Sequence, residues 1–345
     1  MKYFLDVRRR FQHSTYRTWA LLLVLSPLLI LTGCGSSRSV PSTTGNVATV
    51  PVSTDIPPMT TPTGTPTPTA TPAPTATPTP EPQQARFAVI GDFGLAGQPA
   101  ADVAALVKSW NLDFVVTTGD NNYPMGAAET IDANIGQYYH EFLPDGTSAY
   151  GSGSPTNRFF PTLGNHDADI ANGQAYFDYF SFLPGNKRYY TVDWPPVRIY
   201  AVNSVSWIEP DGATSDSAQA MWLKEELAAS PDTWNIVVFH HPPHGSAHHG
   251  PSSWMRWPYQ EWGADVVLTG HNHVYERIMI DGFPYITNGL GGGARYAWSS
   301  TIAEGSEVRF NADHGAQLVE ATEQQLTLQF ITRTGEVIDT FTLER

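Results

Sequence analysis

Six short polar clusters after residue 85 carry most of the side chains that could do chemistry in this chain. They occupy residues 91–94, 119–123, 164–167, 237–240, 249–250 and 270–273. Four of them directly follow an apolar run of the kind that forms a strand. Carboxylate, amide, phenol and imidazole groups all bind metal ions. Their repeated placement just past strand ends predicts a hydrolytic site built on two metal ions.

Two aspartates stand where an apolar strand gives way to a loop, at Asp92 and Asp120. A carboxylate in that position can reach into a cleft while the strand fixes its backbone. Aspartate at a strand end is also a common turn residue. Asn165 and His166, which follow a glycine, have the same ordinary interpretation. Taken one at a time, these residues are more often turn formers than metal ligands.

Histidine is concentrated around the same clusters. Of the eleven histidines, eight lie at His166, His240, His241, His244, His248, His249, His271 and His273. His271 and His273 are two residues apart, so on an extended segment both side chains face the same side. Because the group is spread over several strand ends, it differs from a loose metal-binding surface tract. This pattern favours one dinuclear centre, with His241, His244 and His248 either orienting the ligands or lying in loops.

The elements that must position these residues alternate between strand and helix early in the chain, and hairpins come late. Strands are predicted at 86–90, 114–118, 159–163, 189–192, 197–202, 235–239, 265–269 and 285–287, and helices at 99–110, 128–142 and 217–229. Residues 316–343 alternate like antiparallel strands. The fold class is therefore α/β, a sandwich of two mixed sheets with flanking helices. Residues 91–94 lack the glycine spacing of a Rossmann fold.

The first 84 residues are predicted to lie outside this domain. Arginines precede an apolar run at 19–31, which has the length of a signal-peptide core, and Cys34 follows in a Leu-Thr-Gly-Cys sequence that resembles a bacterial lipobox. We predict a signal peptide at 1–33, and a lipidated Cys34 that begins a disordered Pro/Thr-rich stalk at 34–84. A catalytic domain then spans 85–345. The protein would be extracytoplasmic, anchored by lipid to the membrane of a bacterial cell envelope.

The domain is strongly acidic. Residues 85–345 contain 13 Lys and Arg against 30 Asp and Glu, which gives a net charge of −17. Nucleic-acid binding depends on basic patches, so no nucleic-acid partner is expected. An anionic substrate would have to be attracted by local positive charge, which bound metal ions provide. Trp254, Trp257, Tyr259 and Trp262 have the mixed spacing of packing residues rather than of a substrate-binding surface.

The ordered clusters resemble the calcineurin-like metallophosphoesterase superfamily, and within it the purple acid phosphatases. That branch carries Gly-Asp-x-Gly, Gly-Asp-x-x-Tyr, Gly-Asn-His, Val-x-x-His and Gly-His-x-His. Each block has its counterpart between residues 91 and 273. The segments 119–123 and 240–251 resemble the small, tartrate-resistant enzymes of the animal type. Each block alone is a weak signal, whereas five in this order form a specific one.

The resemblance implies a role for each cluster residue. The first metal ion would be held by Asp92, Asp120, Tyr123 and His273, and the second by Asp120, Asn165, His240 and His271. His166 and His249 would be catalytic and would contact the substrate together with Asn165. Many other members of the superfamily have a histidine at the position of Gly94, and here Tyr123 replaces that ligand. A phenolate suits Fe³⁺, so the resemblance implies Fe³⁺ beside Tyr123 and Fe²⁺, Zn²⁺ or Mn²⁺ as the second ion.

The activity implied is that of an acid phosphatase acting on small phosphate monoesters. Hydroxide held by the metal ions would attack phosphorus, and His166 or His249 would protonate the leaving alcohol. One alternative is a phosphodiesterase or nucleotidase on the same site. A further alternative is a non-catalytic, surface-anchored binding protein that retains the fold. We expect a monomer.

Overall fold

The computed structural model describes residues 83–345. The predicted signal peptide, Cys34 and the predicted stalk up to residue 82 lie outside the described residues, so those interpretations remain predictions. Within the described part of the chain, no helix is both long enough and apolar enough to cross a membrane.

Residues 83–345 form thirteen strands, numbered here in chain order. They are β1 (Gln84–Ile90), β2 (Phe114–Thr117), β3 (Phe159–Pro161), β4 (Tyr190–Trp194), β5 (Val197–Ala201), β6 (Trp234–Val238), β7 (Val266–Thr269), β8 (Tyr275–Ile280), β9 (Phe283–Asn288), β10 (Ser306–Phe310), β11 (Gly315–Thr322), β12 (Gln325–Thr332) and β13 (Val337–Glu344). One sheet has six strands in the order β13-β12-β11-β1-β2-β3, and the other has seven in the order β10-β8-β9-β7-β6-β5-β4.

Both sheets are mixed, with the parallel strands along one side of the first sheet and at the centre of the second. Strands β1, β2 and β3 are parallel in the first sheet. Strands β5, β6, β7 and β9 are parallel in the second. The remaining pairs are antiparallel. The predicted fold class of two mixed sheets is therefore confirmed.

The helices of the described residues are short. They are α1 (Gln98–Lys108), α2 (Ala128–Asn134), α3 (Gly136–Tyr139), α4 (Asn165–Ala168), α5 (Gln174–Tyr179), α6 (Ala218–Ala228) and α7 (Tyr259–Trp262), with 3₁₀ turns at His140–Phe142, Ala171–Gly173 and Ser253–Met255. Helix α6 begins as its sequence predicts, because the Ser217 side chain accepts a hydrogen bond from the Ala220 amide at 3.2 Å.

Strand β6 shows how the layers are built. Its alternate residues point to opposite faces, so Ile236 and Val238 belong to the core between the sheets. Val237 belongs to a second core, where it packs with α6 and α7. A contact between Phe114 and Trp194, with ring centroids 4.9 Å apart, joins the two sheets directly.

The predicted helix at 128–142 was wrong as a single element. It divides into α2, α3 and a 3₁₀ turn, with Ile135 at φ −115° between the first two. Asp132 explains the break, because its carboxylate accepts hydrogen bonds from the Ala149 amide at 2.9 Å and from the Tyr179 hydroxyl at 2.7 Å. A Cβ on Gly136 would lie 2.0 Å from that carboxylate, so a larger residue here would displace the Asp132 side chain.

Candidate metal centre

The predicted site residues gather at the carboxyl ends of the parallel strands. Asp92 follows β1, Asp120 follows β2 and Asn165 follows β3. In the second sheet, His240 follows β6 and His271 follows β7. The carboxyl ends of parallel strands are where open α/β sheets bind their ligands. The two sheets together therefore bring residues more than 170 positions apart in sequence into one site.

Three of these residues adopt a left-handed backbone. The φ angles are 55° at Asp92, 52° at Asp120 and 66° at His271. Such angles are uncommon outside glycine, although Asp and His adopt them more readily than most residues. They turn the chain sharply at the strand end, and strained backbone of this kind is concentrated at functional sites.

Four oxygen and nitrogen donors converge around the Tyr123 hydroxyl. It lies 3.2 Å from Asp92 Oδ1, 2.9 Å from Asp120 Oδ2 and 3.0 Å from His273 Nε2. His273 Nε2 is also 3.2 Å from Asp92 Oδ1. The structure thus brings together the four residues predicted to hold the first ion, all of them buried.

A second group forms around His240 Nε2. This atom lies 3.0 Å from Asn165 Oδ1, 3.2 Å from His271 Nδ1 and 3.4 Å from Asp120 Oδ2. Asp120 belongs to both groups, since the same carboxylate oxygen faces Tyr123 and His240. The four residues predicted to hold the second ion are therefore neighbours as well.

The donor atoms fit metal ions at both positions. Two ligand atoms at about 2.1 Å from an ion and at right angles lie about 3 Å apart, which is the spacing measured within each group. The mixture of carboxylate, phenol, amide and imidazole suits first-row transition metals. The shared Asp120 suits two ions separated by about 3.5–4 Å.

Backbone carbonyls orient two of the imidazoles. His240 Nδ1 lies 2.8 Å from the Thr118 carbonyl oxygen, and His273 Nδ1 contacts the Ala294 carbonyl oxygen. A hydrogen bond from Nδ1 fixes the tautomer and leaves Nε2 with its lone pair directed into the site. Both Nε2 atoms are the ones that face the other donors.

In the second group, the electrostatics leave His241 and His271 neutral and Asp120 ionised, whereas His240 keeps a proton that a metal ion would have to displace. Burial would lower the pKa of His240, but the Asp120 carboxylate raises it to about 9. Burial and the charge on His240 lower the pKa of His241 to about 3, and the same two causes hold the pKa of His271 well below its ordinary value. Burial would raise the pKa of Asp120, yet His240 keeps it below its ordinary value. Neutral imidazole and ionised carboxylate are the forms that bind metal.

Gly94 occupies a position that has no room for a side chain. A Cβ there would lie 2.1 Å from the Asn121 carbonyl carbon and 2.2 Å from its oxygen. The Tyr123 amide also donates a hydrogen bond to the Gly94 carbonyl at 2.7 Å. The loop that carries Tyr123 therefore passes through the space that a side chain at residue 94 would need.

Sequence reasoning gave no role to a buried carboxylate, Asp167, which joins two of the ligand loops. It accepts hydrogen bonds from the Asn121 amide at 3.0 Å, from Asn121 Nδ2 at 2.8 Å and from the Gly164 amide at 2.9 Å. Burial, together with the nearby Asp120 carboxylate, raises the pKa of Asp167 above its ordinary value. Aspartate is so common in turns that its sequence context carried no signal for this role.

The two predicted catalytic histidines lie beside different ligand groups. The His166 ring is 4.5 Å from the Tyr123 ring, and its Nδ1 contacts the Pro124 carbonyl oxygen. The exposed His249 ring stacks on His271 at 4.4 Å, with 24° between the planes. Neither of them belongs to the two donor groups described above.

The remaining histidines divide according to their contacts. The buried His241 ring lies 4.4 Å from His271, and its Nδ1 is 2.9 Å from Ser204 Oγ. His244 packs on Tyr285 at 4.8 Å, and His248 is exposed beside His249. Only His241, which also belongs to a candidate ligand group with His240 and His271, touches a predicted ligand.

His271 and His273 do not lie on an extended segment, so that expectation was wrong. The left-handed His271 and a short contact from the Val274 amide to the Asn272 carbonyl, at 2.6 Å, curl the chain between them. One ring consequently faces His240 and the other faces Tyr123.

Aromatic side chains lie at the rim of the site. Trp257 and Tyr259 are buried as expected of packing residues, but Trp254 is 37% exposed and Trp207 is 58% exposed. Both lie near His241. Tyr296 stacks on His273, with ring centroids 4.0 Å apart. The prediction that Trp254 is a packing residue is therefore wrong, whereas Trp207 and Tyr296 are single aromatics without periodicity, to which the sequence assigned no role.

Known proteins resemble this chain in sequence and in fold. The family model for calcineurin-like phosphoesterases matches residues 85–275. Purple acid phosphatase 17 of Arabidopsis thaliana is 26% identical over 249 residues, which cover 63% of this chain and 70% of that protein. Tartrate-resistant acid phosphatase type 5 of Mus musculus is 24% identical over 247 residues, covering 60% and 72%. The structure of purple acid phosphatase PPD1 from yellow lupin (Lupinus luteus) seeds shares the fold, with a TM-score of 0.60 and 18% identity over 77% of this chain and 54% of that one.

Proposed function

The chain belongs to the calcineurin-like phosphoesterase family, and on that premise we propose that it is a dinuclear-metal phosphomonoesterase of the acid phosphatase type. Family membership and the purple acid phosphatase relatives support phosphoester hydrolysis. The preference for monoesters, the acidic optimum and the identity of the metals belong to the proposal.

The position of the Tyr123 hydroxyl among three other ligand candidates is the observation that carries the proposal. It stands within 3.2 Å of Asp92, Asp120 and His273, while Gly94 leaves no space for a competing ligand. A phenolate among two carboxylates and an imidazole is a hard, anionic donor set that suits Fe³⁺. We assign Fe³⁺ to this group and Fe²⁺, Zn²⁺ or Mn²⁺ to the group around His240.

The protein residues have separate roles in the reaction. Two metal ions bound here would polarise a water molecule and neutralise charge on the phosphate. Asn165 and His166 stand at the start of α4 and orient phosphate oxygens. His249 lies on the His271 ring and is open to solvent, so its imidazole can donate a proton to the departing alkoxide.

Purified full-length protein tests the proposal directly. Metal analysis, a visible spectrum and hydrolysis of p-nitrophenyl phosphate from acidic to alkaline pH should give about two metals including iron, a purple band and an acidic optimum. Two metals without iron or colour and an alkaline optimum would contradict the acid phosphatase assignment. Faster hydrolysis of bis(p-nitrophenyl) phosphate than of the monoester would favour the phosphodiesterase alternative. A folded, metal-treated sample that neither binds metal nor hydrolyses either ester would favour a binding protein.

Tyr123→Phe tests the iron assignment. We expect loss of the visible band and a metal affinity that is lower by at least about 10-fold, because the phenolate oxygen is removed while the ring stays. The measurement is the absorbance spectrum together with metal retention against a chelator. Tyr296→Phe is the matched control, since Tyr296 stacks on His273 without belonging to the donor group, and it should keep the band. A band that survives in Tyr123→Phe removes Tyr123 from the ligand set.

A further inference from the structure

We propose that Trp207 and Trp254 form an aromatic wall beside the candidate metal centre, and that this wall binds a planar ring in the alcohol part of the substrate. The inference rests on the proposed phosphomonoesterase function and names a substrate class for that site. Phosphate esters of alcohols that carry an aromatic ring, either an aryl group or a nucleobase, would be favoured over esters of aliphatic alcohols.

The His241 ring lies between the two tryptophans and His271, a predicted metal ligand. The His241 ring lies 4.4 Å from the His271 ring, 5.4 Å from the Trp254 ring and 6.4 Å from the Trp207 ring. Each tryptophan is therefore separated from a predicted ligand of the second ion by a single side chain. An ester whose phosphate sits at the ions can extend its alcohol part along this side.

Trp207 is held on an anchored loop although its own ring is 58% exposed. At the start of the loop, the buried Asn203 is held by two hydrogen bonds: its amide donates to Gln219 Oε1 at 2.7 Å, and its Nδ2 donates to Glu209 Oε2 at 2.9 Å. Glu209, at the other end, pairs with Arg188 at 3.1 Å. The buried polar contacts fix both ends of the loop and so present the ring in a defined place.

Trp254 is oriented from the opposite segment. Its indole nitrogen donates to the Ser204 carbonyl at 3.1 Å, and Ser204 Oγ accepts a hydrogen bond from the His241 amide at 3.0 Å. The indole N–H is thus satisfied within the protein, and the part of the ring that remains exposed is its apolar surface. An amphipathic ring held in this way offers a stacking face rather than a polar contact.

The chemistry of this surface selects the occupant. Two indole rings offer π-faces, and offset or edge-to-face contacts with another ring add to the area that is buried. Stacking on a protein aromatic is independent of the exact base or aryl group. An aliphatic group of the same size can bury area there but gains no ring contact. A preference for planar rings is therefore the property that distinguishes this wall from general apolar binding.

Binding of a matched pair of phosphonates tests the inference without catalysis. Benzylphosphonate carries a planar aromatic ring, and cyclohexylmethylphosphonate carries a saturated ring of similar size. Both have a P–C bond in place of the ester bond, so a phosphatase cannot hydrolyse them. Titration calorimetry of the metal-loaded full-length protein should show that benzylphosphonate binds about 3- to 10-fold more tightly. Trp207→Ala, Trp254→Ala and the double variant should reduce this preference, with the double variant close to none.

Two further variants separate a ring contact from other effects. Trp207→Leu keeps an apolar side chain without a ring, so it should reduce the preference as much as Trp207→Ala does. Tyr150→Ala removes a 50% exposed aromatic residue that contacts none of the candidate ligands, so it should keep the preference. Equal affinity for the two phosphonates, failure of both to bind, or an unchanged preference in the double variant would overturn the inference.

Hydrolysis rates of two further pairs of esters then show whether the bound ring is a nucleobase or an aryl group. Adenosine 5′-monophosphate against ribose 5-phosphate reports a nucleobase, and benzyl phosphate against cyclohexylmethyl phosphate reports an aryl group. The pair whose kcat/KM ratio falls in the double variant identifies the source. Hydrolysis with no aromatic preference in either pair would reject the wall and leave the phosphomonoesterase standing. Tryptophan-dependent phosphonate binding without hydrolysis of any ester would reject the phosphomonoesterase and leave the wall standing.

Discussion

Gly94 and Tyr123 act as one unit in the candidate site. The Tyr123 amide is bonded to the Gly94 carbonyl at 2.7 Å, and the Asn121 backbone fills the space beside the Gly94 Cα. A histidine at residue 94 and a tyrosine delivered by this loop are therefore mutually exclusive, because the loop and the side chain need the same volume. This steric coupling accounts for the exchange of one ligand for another that the sequence indicates.

Gly94→Ala tests that coupling. Overpacking at this point should lower the free energy of unfolding by about 1–3 kcal/mol and should displace the Tyr123 hydroxyl, so that the visible band shifts or weakens. Thermal unfolding and the spectrum provide the measurement. Gly97→Ala serves as the control, because a Cβ at Gly97 meets nothing closer than 3.8 Å. Equal stability and unchanged spectra in the two variants would show that the loop yields freely.

His249 is predicted to act as a proton donor rather than as a ligand. Replacing it by alanine should lower kcat about 100-fold or more for alkyl phosphates, whose leaving alkoxides need a proton. The loss should be small for p-nitrophenyl phosphate, and metal content should stay normal. His248→Ala is the matched control, since His248 is the exposed neighbour of His249. Equal losses for both esters in His249→Ala would refute the proton-donor role.

At the scale of elements, the strands that deliver the ligands were those that the sequence predicted best. Strands β2 and β7 are entirely buried, so each appears as a short run of apolar residues that ends at a polar cluster. The prediction needed no knowledge of the partner strand. Because these strands are buried on both faces, each one is visible in the sequence as an apolar run. The ligand residues that follow the strands could therefore be placed in order before the fold was known.

Strands β8 and β10 were not predicted, because tertiary contacts rather than local pattern support them. Strand β8 contains Glu276, whose buried carboxylate accepts hydrogen bonds from the Ser246 amide at 2.8 Å and from Ser306 Oγ at 2.7 Å. These partners come from a loop and from the edge strand β10. A charged residue inside a strand lowers its predicted β character, and only the assembled structure supplies the compensating donors.

Asp167 connects the loops that follow β2 and β3, so its removal should affect both. Asp167→Ala leaves the Asn121 and Gly164 amides without their side-chain acceptor and removes one of the two acceptors of Asn121 Nδ2. We expect a loss of about 2–4 kcal/mol in the free energy of unfolding and weaker metal retention, measured by thermal unfolding and chelator competition. Asp167→Asn keeps one carbonyl acceptor and should lose less. Metal retention equal to wild type in the alanine variant would mean that the loops are held by other contacts.

The whole domain is strongly acidic, and part of that charge lies inside the candidate site. Residues 85–345 carry a net charge of −17, and two of the carboxylates that contribute to it, Asp92 and Asp120, are buried in the site. A phosphate ester approaches such a surface only where positive charge outweighs the field. Metal ions held by these carboxylates would supply that charge. Substrate binding should therefore depend on the metal ions more strongly here than in a protein whose surface is itself positively charged.

The predicted position of this domain in the cell rests on a residue outside the described part of the chain. Cys34 is the only cysteine, and a lipobox-type sequence before it predicts lipidation. Expressed in bacteria, wild type should label with an alkyne fatty acid and sediment with membranes, whereas Cys34→Ser should do neither, because a lipid chain supplies most of the membrane affinity. Ser37→Ala, a nearby change of similar size, should behave as wild type. Phosphatase activity per folded molecule should be equal in all three, since the predicted stalk separates Cys34 from the domain. Membrane retention of unlabelled Cys34→Ser would instead assign the anchor to the apolar run at 19–31.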